Sequence, residues 1–428
     1  MLPILRRSVL CAVLLLAFPV ASWSVDTVEL TTGATTNGTI KSHSGSSVVI
    51  AVKVGDRTVT RTYPKNRIKA YTVDGKRFDP KSGSSTTVEP GRRAERSETD
   101  ILAEIDRQGK TPPDWFESTP LNYPNTLDLA WPIPPPKGWD SSKNIGQFIW
   151  DRINPNASKW REGVKFMHHL LSTSKDAAVR KRAMRTLGSM YHNLLQDYAR
   201  SAFWYRQSGL EAELSQAPQP AVHLAENYWH LGSKSMAMNI VTKMPSRPYI
   251  AIKLFGDMGE TDRAVQLAEA FAKSGAASMS FLYAGDACRV AGRLEDAESY
   301  YRKAIAGIPR NEADKPHRKR DKARAEASIA AIRFYSLDPT KVADGKYMAS
   351  SIGYEDQIHV EVVVKAGTIE SVEVTRHREK QYYSSLTDTP KKILDRQSVA
   401  GIDATSSATI TSEAIINATA KALASGLK

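Results

Sequence analysis

Cysteine is almost absent from this chain. Cys11 and Cys288 are the whole complement in 428 residues. Cys11 lies in an apolar N-terminal run that is expected to be removed, which leaves Cys288 alone and excludes an intrachain disulfide. A c-type haem needs a Cys-x-x-Cys-His motif, and there is none. Iron–sulfur and cysteine-based zinc sites are excluded in the same way. Long hydrophobic runs are equally scarce. Val9 to Val20 is the one stretch that approaches membrane-spanning length, and it falls short of the ~20 residues a spanning helix needs. No nucleophile–His–Asp arrangement, zinc motif or phosphate-binding glycine loop is visible. These absences argue against hydrolase, nucleotide-loop and haem chemistry.

The apolar run follows Arg6 and Arg7 and precedes Ala21, Ser22 and Ser24. This order predicts a secretory signal peptide from Met1 to about Ser24; the alternative is a membrane anchor. The expected location is exported, periplasmic or extracytoplasmic. The net charge of +13 suits acidic surfaces, but export argues against a nucleic-acid partner. The densest basic run, Lys315 to Arg324, reads as a solvated helix face.

What remains is multidomain. Residues 25–79 alternate in the manner of strands, as in Thr27 to Leu30, Val48 to Val52 and Val59 to Tyr63. Gly33, Gly38, Gly45 and Gly55 punctuate them, which predicts a small antiparallel β-barrel of four or five strands. Residues 80–143 read as a linker followed by an extended segment, with four prolines between Trp131 and Trp139. Residues 144–336 read as an α-helical solenoid. Ala276 to Pro309 has tetratricopeptide-like spacing, with Phe281 and Gly285 on one helix, Gly292 in the turn, and Ala297, Tyr301 and Ala304 on the next. Weaker copies contain Leu187, Gly188, Tyr191 and Tyr205, then Leu224, Tyr228, Gly232 and Ala237, then Phe255, Gly259, Ala264 and Ala268. Such arrays commonly dock a partner, and a plain spacer is the alternative. Cys288 falls at a core position, and His168-His169 has no partner motif.

Residues 341–428 change character. Asp344-Gly345-Lys346-Tyr347 precedes Gly353-Tyr354. A hairpin follows, with Ile358, Val360 and Val362, the turn Lys365-Ala366-Gly367, then Ile369, Val372 and Val374. A short helix is expected through Arg396. A hydroxyl-rich run, Thr405 to Ser412, then opens a last helix with Ile415, Ile416, Thr419, Ala422 and Leu423 on one face. Exposed amides at a helix start favour a phosphate, and hydroxyls add donors without bulk. Taken alone, such a run reads better as a turn with N-cap residues. His359 and His377 lie on the hairpin as structural or solvated residues, and Tyr382-Tyr383 could stack on a ring.

This order resembles the FMN-binding domain family, which includes flavin-carrying subunits of the sodium-pumping quinone reductase and its ferredoxin-oxidising relatives. The signature Asp-x-x-Ser-Gly-Ala-Thr-x-Thr/Ser-Ser matches at Asp403, Ser406, Ala408, Thr409, Thr411 and Ser412, and Glu379 matches the Glu after the second strand. The resemblance implies an α+β domain carrying FMN, joined by a phosphoester to Thr409 or held without a covalent bond. In covalent members a flavin transferase installs the group from FAD with magnesium. Two positions depart. Ser407 replaces the signature glycine, which matters if the position needs φ > 0, and Lys380 stands where threonine is usual. Asp403 could accept the Thr409 proton or hold a transferase's metal. The implied function is an exported electron carrier serving a redox protein or membrane electron-transfer complex. The alternatives are a binding scaffold with a non-covalent or vestigial flavin site, and a flavin-dependent small-molecule reductase.

Overall fold

A computed structural model describes residues 26–42, 47–55, 57–64, 67–73, 76–78, 95–135, 138–380 and 384–428. The expected signal peptide, most of the expected linker and the Tyr382-Tyr383 pair lie outside the described residues. The chain divides into two compact units, Met1–Arg93 and Ala94–Lys428.

The first unit is one antiparallel sheet of β1 (Asp26–Leu30), β2 (Thr35–Ser42), β3 (Ser47–Val54), β4 (Arg57–Pro64), β5 (Ile68–Val73) and β6 (Lys76–Phe78). The strand order is β4-β3-β2-β1-β5-β6, so the sequence reading of four or five strands was short. Val28, Val48, Ile50, Ile68 and Tyr71 form its core. Alternation puts Val48 and Ile50 on one side of the pleat, and a register shift between β1 and β5 at Glu29/Leu30 lets Ile68 and Tyr71, three apart, both be buried.

The second unit starts with a helix inside the stretch expected to be linker and extended chain. α1 (Glu98–Lys110) is capped by Ser97, whose side chain accepts from the Asp100 amide. Ile101 and Ile105, one turn apart, are its buried residues. Two buried positions in thirteen are too few to stand out against a polar, linker-like composition.

The central region is helical: α2 (Ile145–Phe148), α3 (Trp160–Thr173), α4 (Ala177–Asn193), α5 (Tyr198–Gln207), α6 (Pro218–His230), α7 (Lys234–Lys243), α8 (Ala251–Asp257), α9 (Thr261–Ala270), α10 (Ala277–Val290), α11 (Leu294–Ala306) and α12 (Pro316–Ala331). Turns between α6 and α7, α8 and α9, and α10 and α11 each hold a left-handed glycine: Gly232, Gly259 and Gly292, with φ of 98°, 74° and 72°. Inside the pairs, glycine meets tyrosine. A Cβ on Gly188 would stand 2.6 Å from the Tyr205 ring, and one on Gly285 would stand 2.4 Å from the Tyr301 ring. Cys288 is fully buried, and burial pushes its thiol up to about 12, as suits a core residue. Among the described residues, no helix is long and apolar enough to cross a membrane.

The C-terminal region is α+β, with β7 (Gly345–Ile352), β8 (Gln357–Lys365), β9 (Thr368–Arg376), α13 (Ser385–Arg396) and α14 (Thr409–Ser425). The sheet order is β7-β8-β9, all antiparallel. Ala366 and Gly367 take φ of 50° and 75°, the two-residue hairpin geometry that a right-twisted strand pair favours. Ile358, Val360, Val362 and Val364 of β8 are buried, as alternation requires.

Two expectations need correction. α14 is not amphipathic but buried almost all round, because it packs both on β7 and β8 and on α12. One hydrophobic core therefore runs from Ile101 through the helical region to Leu423, without a break near residue 340. The basic run on α12 is not simply a solvated face either. Arg318 and Arg324 are buried and paired, Arg318 with Glu312 at 2.8 Å and Arg324 with Asp286. Arg320 stacks over Tyr354 at 4.0 Å.

Candidate functional site

The hydroxyl-rich run forms the loop that enters α14. Its entry is shaped by its own backbone: the Ala408 amide donates to Thr405 O at 3.1 Å, and the Ser412 amide donates to Ala408 O at 3.0 Å. α13 holds one side. Thr405 Oγ1 donates to Asp388 Oδ2 at 2.7 Å. Ser412 Oγ accepts from the Thr405 amide at 3.0 Å and from Thr389 Oγ1 at 3.1 Å. Lys392 bridges Asp388 at 3.0 Å and Asp403 at 3.2 Å.

Glu379 holds the other side. It is buried, and its carboxylate accepts from the amides of Tyr354 at 3.1 Å and Glu355 at 2.9 Å and from Thr411 Oγ1. A Cβ on Gly353 would lie 2.6 Å from Glu379 Oε1, so this close approach needs glycine. The structure thus joins the Gly353-Tyr354 turn, Glu379 and Thr411 into one anchor, all three singled out from the sequence. Lys380 is exposed and pairs with Glu355 at 3.7 Å.

At the centre, Thr409 is the first residue of α14 and only 6% exposed. No side chain caps this helix. Its first-turn amides therefore keep their donor capacity, and the 17-residue helix adds the positive end of its dipole. Ser406 Oγ is buried without a hydrogen-bond partner. An orphaned hydroxyl beside uncapped amides is a donor set that suits a phosphate.

Asp403 is placed differently from the sequence expectation. Its carboxylate faces Lys392, and no hydrogen bond joins it to Thr409 among the described residues. The turn at 405–408 separates the two. Burial works against its ionisation, but Lys392 and Lys253 outweigh it and hold the carboxyl at about 2. A carboxylate already matched to two lysines is a poor proton acceptor.

Ser407 answers the question its substitution raised. Its φ is 60°, so the position does need the left-handed conformation that glycine adopts freely. Its hydroxyl lies 3.4 Å from His223 Nε2 on α6. Burial pushes the His223 imidazole down to about 3, so the ring is neutral. The sequence reading missed His223. The available signal was His223-Leu-Ala-Glu226, which puts two ligand-type side chains three residues apart on one helix face.

Burial separates the remaining histidines. His168 packs edge-on against Phe116 and Trp204, with centroids at 4.8 and 5.1 Å, and burial lowers it to about 4. His359 lies on β8.

No curated protein and no solved structure matches the chain. Residues 353–424 match the FMN-binding domain family model, a span that runs from the Gly353 turn through Glu379 and the hydroxyl loop to the end of α14. The C-terminal region is an FMN-binding domain, the cofactor is FMN, and the chain is a flavoprotein.

Proposed function

We propose that this chain is an exported electron carrier with FMN attached by a phosphoester to Thr409, and that its helical region, read as tetratricopeptide-like, docks a redox partner. The reading rests on one observation above the rest. The family-matched loop brings a buried threonine, an orphaned serine hydroxyl and the uncapped N-terminus of α14 to one place. FMN supplies the redox chemistry when bound. The chain's own task is positioning. Glu379 fixes the loop to the Gly353 turn, while Asp388, Thr389 and Lys392 fix it to α13. Thr409 and the first-turn amides of α14 would hold the phosphate. The reading also takes the N-terminal sheet as a small barrel-type module and the first residues as a signal peptide.

A second reading has its own support. The strained φ at Ser407 and the small exposure of Thr409 favour a scaffold whose FMN is held without a covalent bond. One experiment separates the two. The chain is expressed in an export-competent host with a flavin transferase, denatured, and inspected for in-gel flavin fluorescence. Mass spectrometry should then find FMN less one water on the peptide holding Thr409, and Thr409→Ala should remove it. An unmodified peptide with dissociable flavin would overturn the covalent bond and leave the electron carrier in non-covalent form. Label that persists in Thr409→Ala would move the attachment to Thr405 or Thr411.

A further inference from the structure

His192 on α4 and His223 and Glu226 on α6 form a buried cluster beside the flavin loop. One ligand atom from each lies within 4.8 Å of the others. All three residues are at most 5% exposed. The two imidazoles are stacked, with centroids 4.6 Å apart and planes 11° from parallel.

The surroundings are those of oriented ligands. His192 Nδ1 pairs with Asn227 Oδ1 at 2.8 Å, and Asn227 is fixed in turn because its Nδ2 donates to Ser201 Oγ at 2.8 Å. The amide oxygen therefore faces the ring, and Nδ1 carries the proton. His223 Nδ1 pairs with the Tyr205 hydroxyl at 3.2 Å. Each ring has its Nδ1 held by a protein group; His192 Nε2 has no hydrogen-bond partner, and His223 Nε2 has only the long contact to Ser407 Oγ at 3.4 Å. Metal-bound histidines are oriented in this way by the hydrogen bond of the other ring nitrogen.

His192 Nε2 is the telling atom. It lies 3.1 Å from Glu226 Oε2, yet it is buried without a hydrogen-bond partner because the contact is off the hydrogen-bond direction. A nitrogen and a carboxylate oxygen, close but misaligned, suit a shared cation better than a shared proton. Glu226 Oε1 faces Lys253 at 4.0 Å, and Lys253 is itself paired with Asp257, so the added positive charge is offset. A cavity of about 250 Å³, lined by Gln219, Met190, Asn193 and Trp150, borders the cluster at His223. The nearest flavin-domain group is Ser407 Oγ, 3.4 Å from His223 Nε2.

We propose that His192, His223 and Glu226 bind one divalent transition-metal ion of the zinc class, in the helical region where it meets the flavin loop. Two imidazoles and one carboxylate are donors that suit such ions, and three protein ligands leave a further position open towards the cavity. The site is independent of how FMN is held, and its test reads metal rather than flavin.

The full chain is stripped with a chelator, titrated with Zn²⁺ or Co²⁺, dialysed, and assayed for metal by mass spectrometry. One ion per chain is expected. The Co²⁺ form should show the strong visible absorption of a four-coordinate site and two hyperfine-shifted exchangeable protons, from the Nδ1–H groups of His192 and His223. Asn227→Ala should weaken binding by about 10- to 100-fold. His223→Gln and Glu226→Gln should weaken it further, while His317→Ala, on an exposed residue, should leave it unchanged. If the ligand variants misfold, the wild-type stoichiometry and cobalt spectrum decide alone. A wild-type chain that retains no ion, or Glu226→Gln with wild-type content, would overturn the site and leave a buried His192–Glu226 ion pair.

Discussion

α10 makes two junctions one turn apart, and they hold the molecule by opposite means. Towards α11 the junction is steric: Gly285 admits the Tyr301 ring, and Ala297 and Ala304 keep the second helix close. Towards α14 it is polar. Arg289 and Glu413 are 0% and 1% exposed and meet at 2.7 Å, and Arg289 Nη2 also donates to Ile402 O at 2.8 Å. Beside them, Tyr335 donates to Asn417, and Asn417 Nδ2 donates to Ser328 Oγ at 3.1 Å. The first junction needs only that no side chain stand between the helix and the ring. The second is satisfied only by matched partners, so it specifies how the FMN-binding domain seats on the helical region. A buried ion pair adds little net stability, but breaking one is costly.

The largest expected effect comes from breaking that pair. Arg289→Ala leaves the Glu413 carboxylate buried and uncompensated, at a cost of about 3–5 kcal/mol in urea unfolding. Arg289→Met with Glu413→Leu should recover most of the loss. The cost has a pH signature. Burial raises the Glu413 carboxyl to about 7, and Arg289 opposes the rise. Removing Arg289 lifts the carboxyl further, so the two proteins differ most above pH 7. The cost shrinks as pH falls towards about 7, and below that the carboxyl is protonated in both and the cost levels off. A cost that does not change between pH 5 and 8 would show that charge is not what the junction stores.

The steric junction should break differently. Gly285→Ala puts a Cβ 2.4 Å from the Tyr301 ring, and such overpacking costs about 1–3 kcal/mol without a pH signature. Hydrogen exchange should loosen α10 and α11 first. If α14 loosened equally, the two junctions would be one cooperative unit.

The two junctions also differ in what a sequence discloses. Gly285, Gly292, Ala297 and Tyr301 have fixed spacing, and the steric reason for each is local to two helices. The hairpin turn at Ala366-Gly367 and the hydroxyl loop before α14 are local in the same sense, so they too were legible. Arg289, Arg324 and Glu413 were not, because a charged residue on a helix reads as solvated unless its partner is known. Glu413 lies 124 positions from Arg289. The single apolar face expected of α14 failed for the same reason: its second layer is α12, far away in sequence. His192 and His223 escaped because only the packing of α4 on α6 brings them together. The Ser407 strain was legible as a question, and the backbone answered it.

The smallest expected effect tests whether charge or hydrogen bonding dominates the polar junction. Tyr335→Phe keeps the ring over which Arg289 lies, at 5.4 Å, and removes only the hydroxyl that donates to Asn417. The buried Asn417 oxygen loses its donor, at a cost of about 1 kcal/mol. Because no ionised group changes partners, this loss should stay constant where that of Arg289→Ala varies with pH. Adding Asn417→Leu should cost less than the two single changes summed, since the orphaned oxygen leaves with it. If Tyr335→Phe instead matched Arg289→Ala in size, the Tyr335–Asn417–Ser328 chain would be the main tie between the helical region and the FMN-binding domain, with the ion pair only its neighbour.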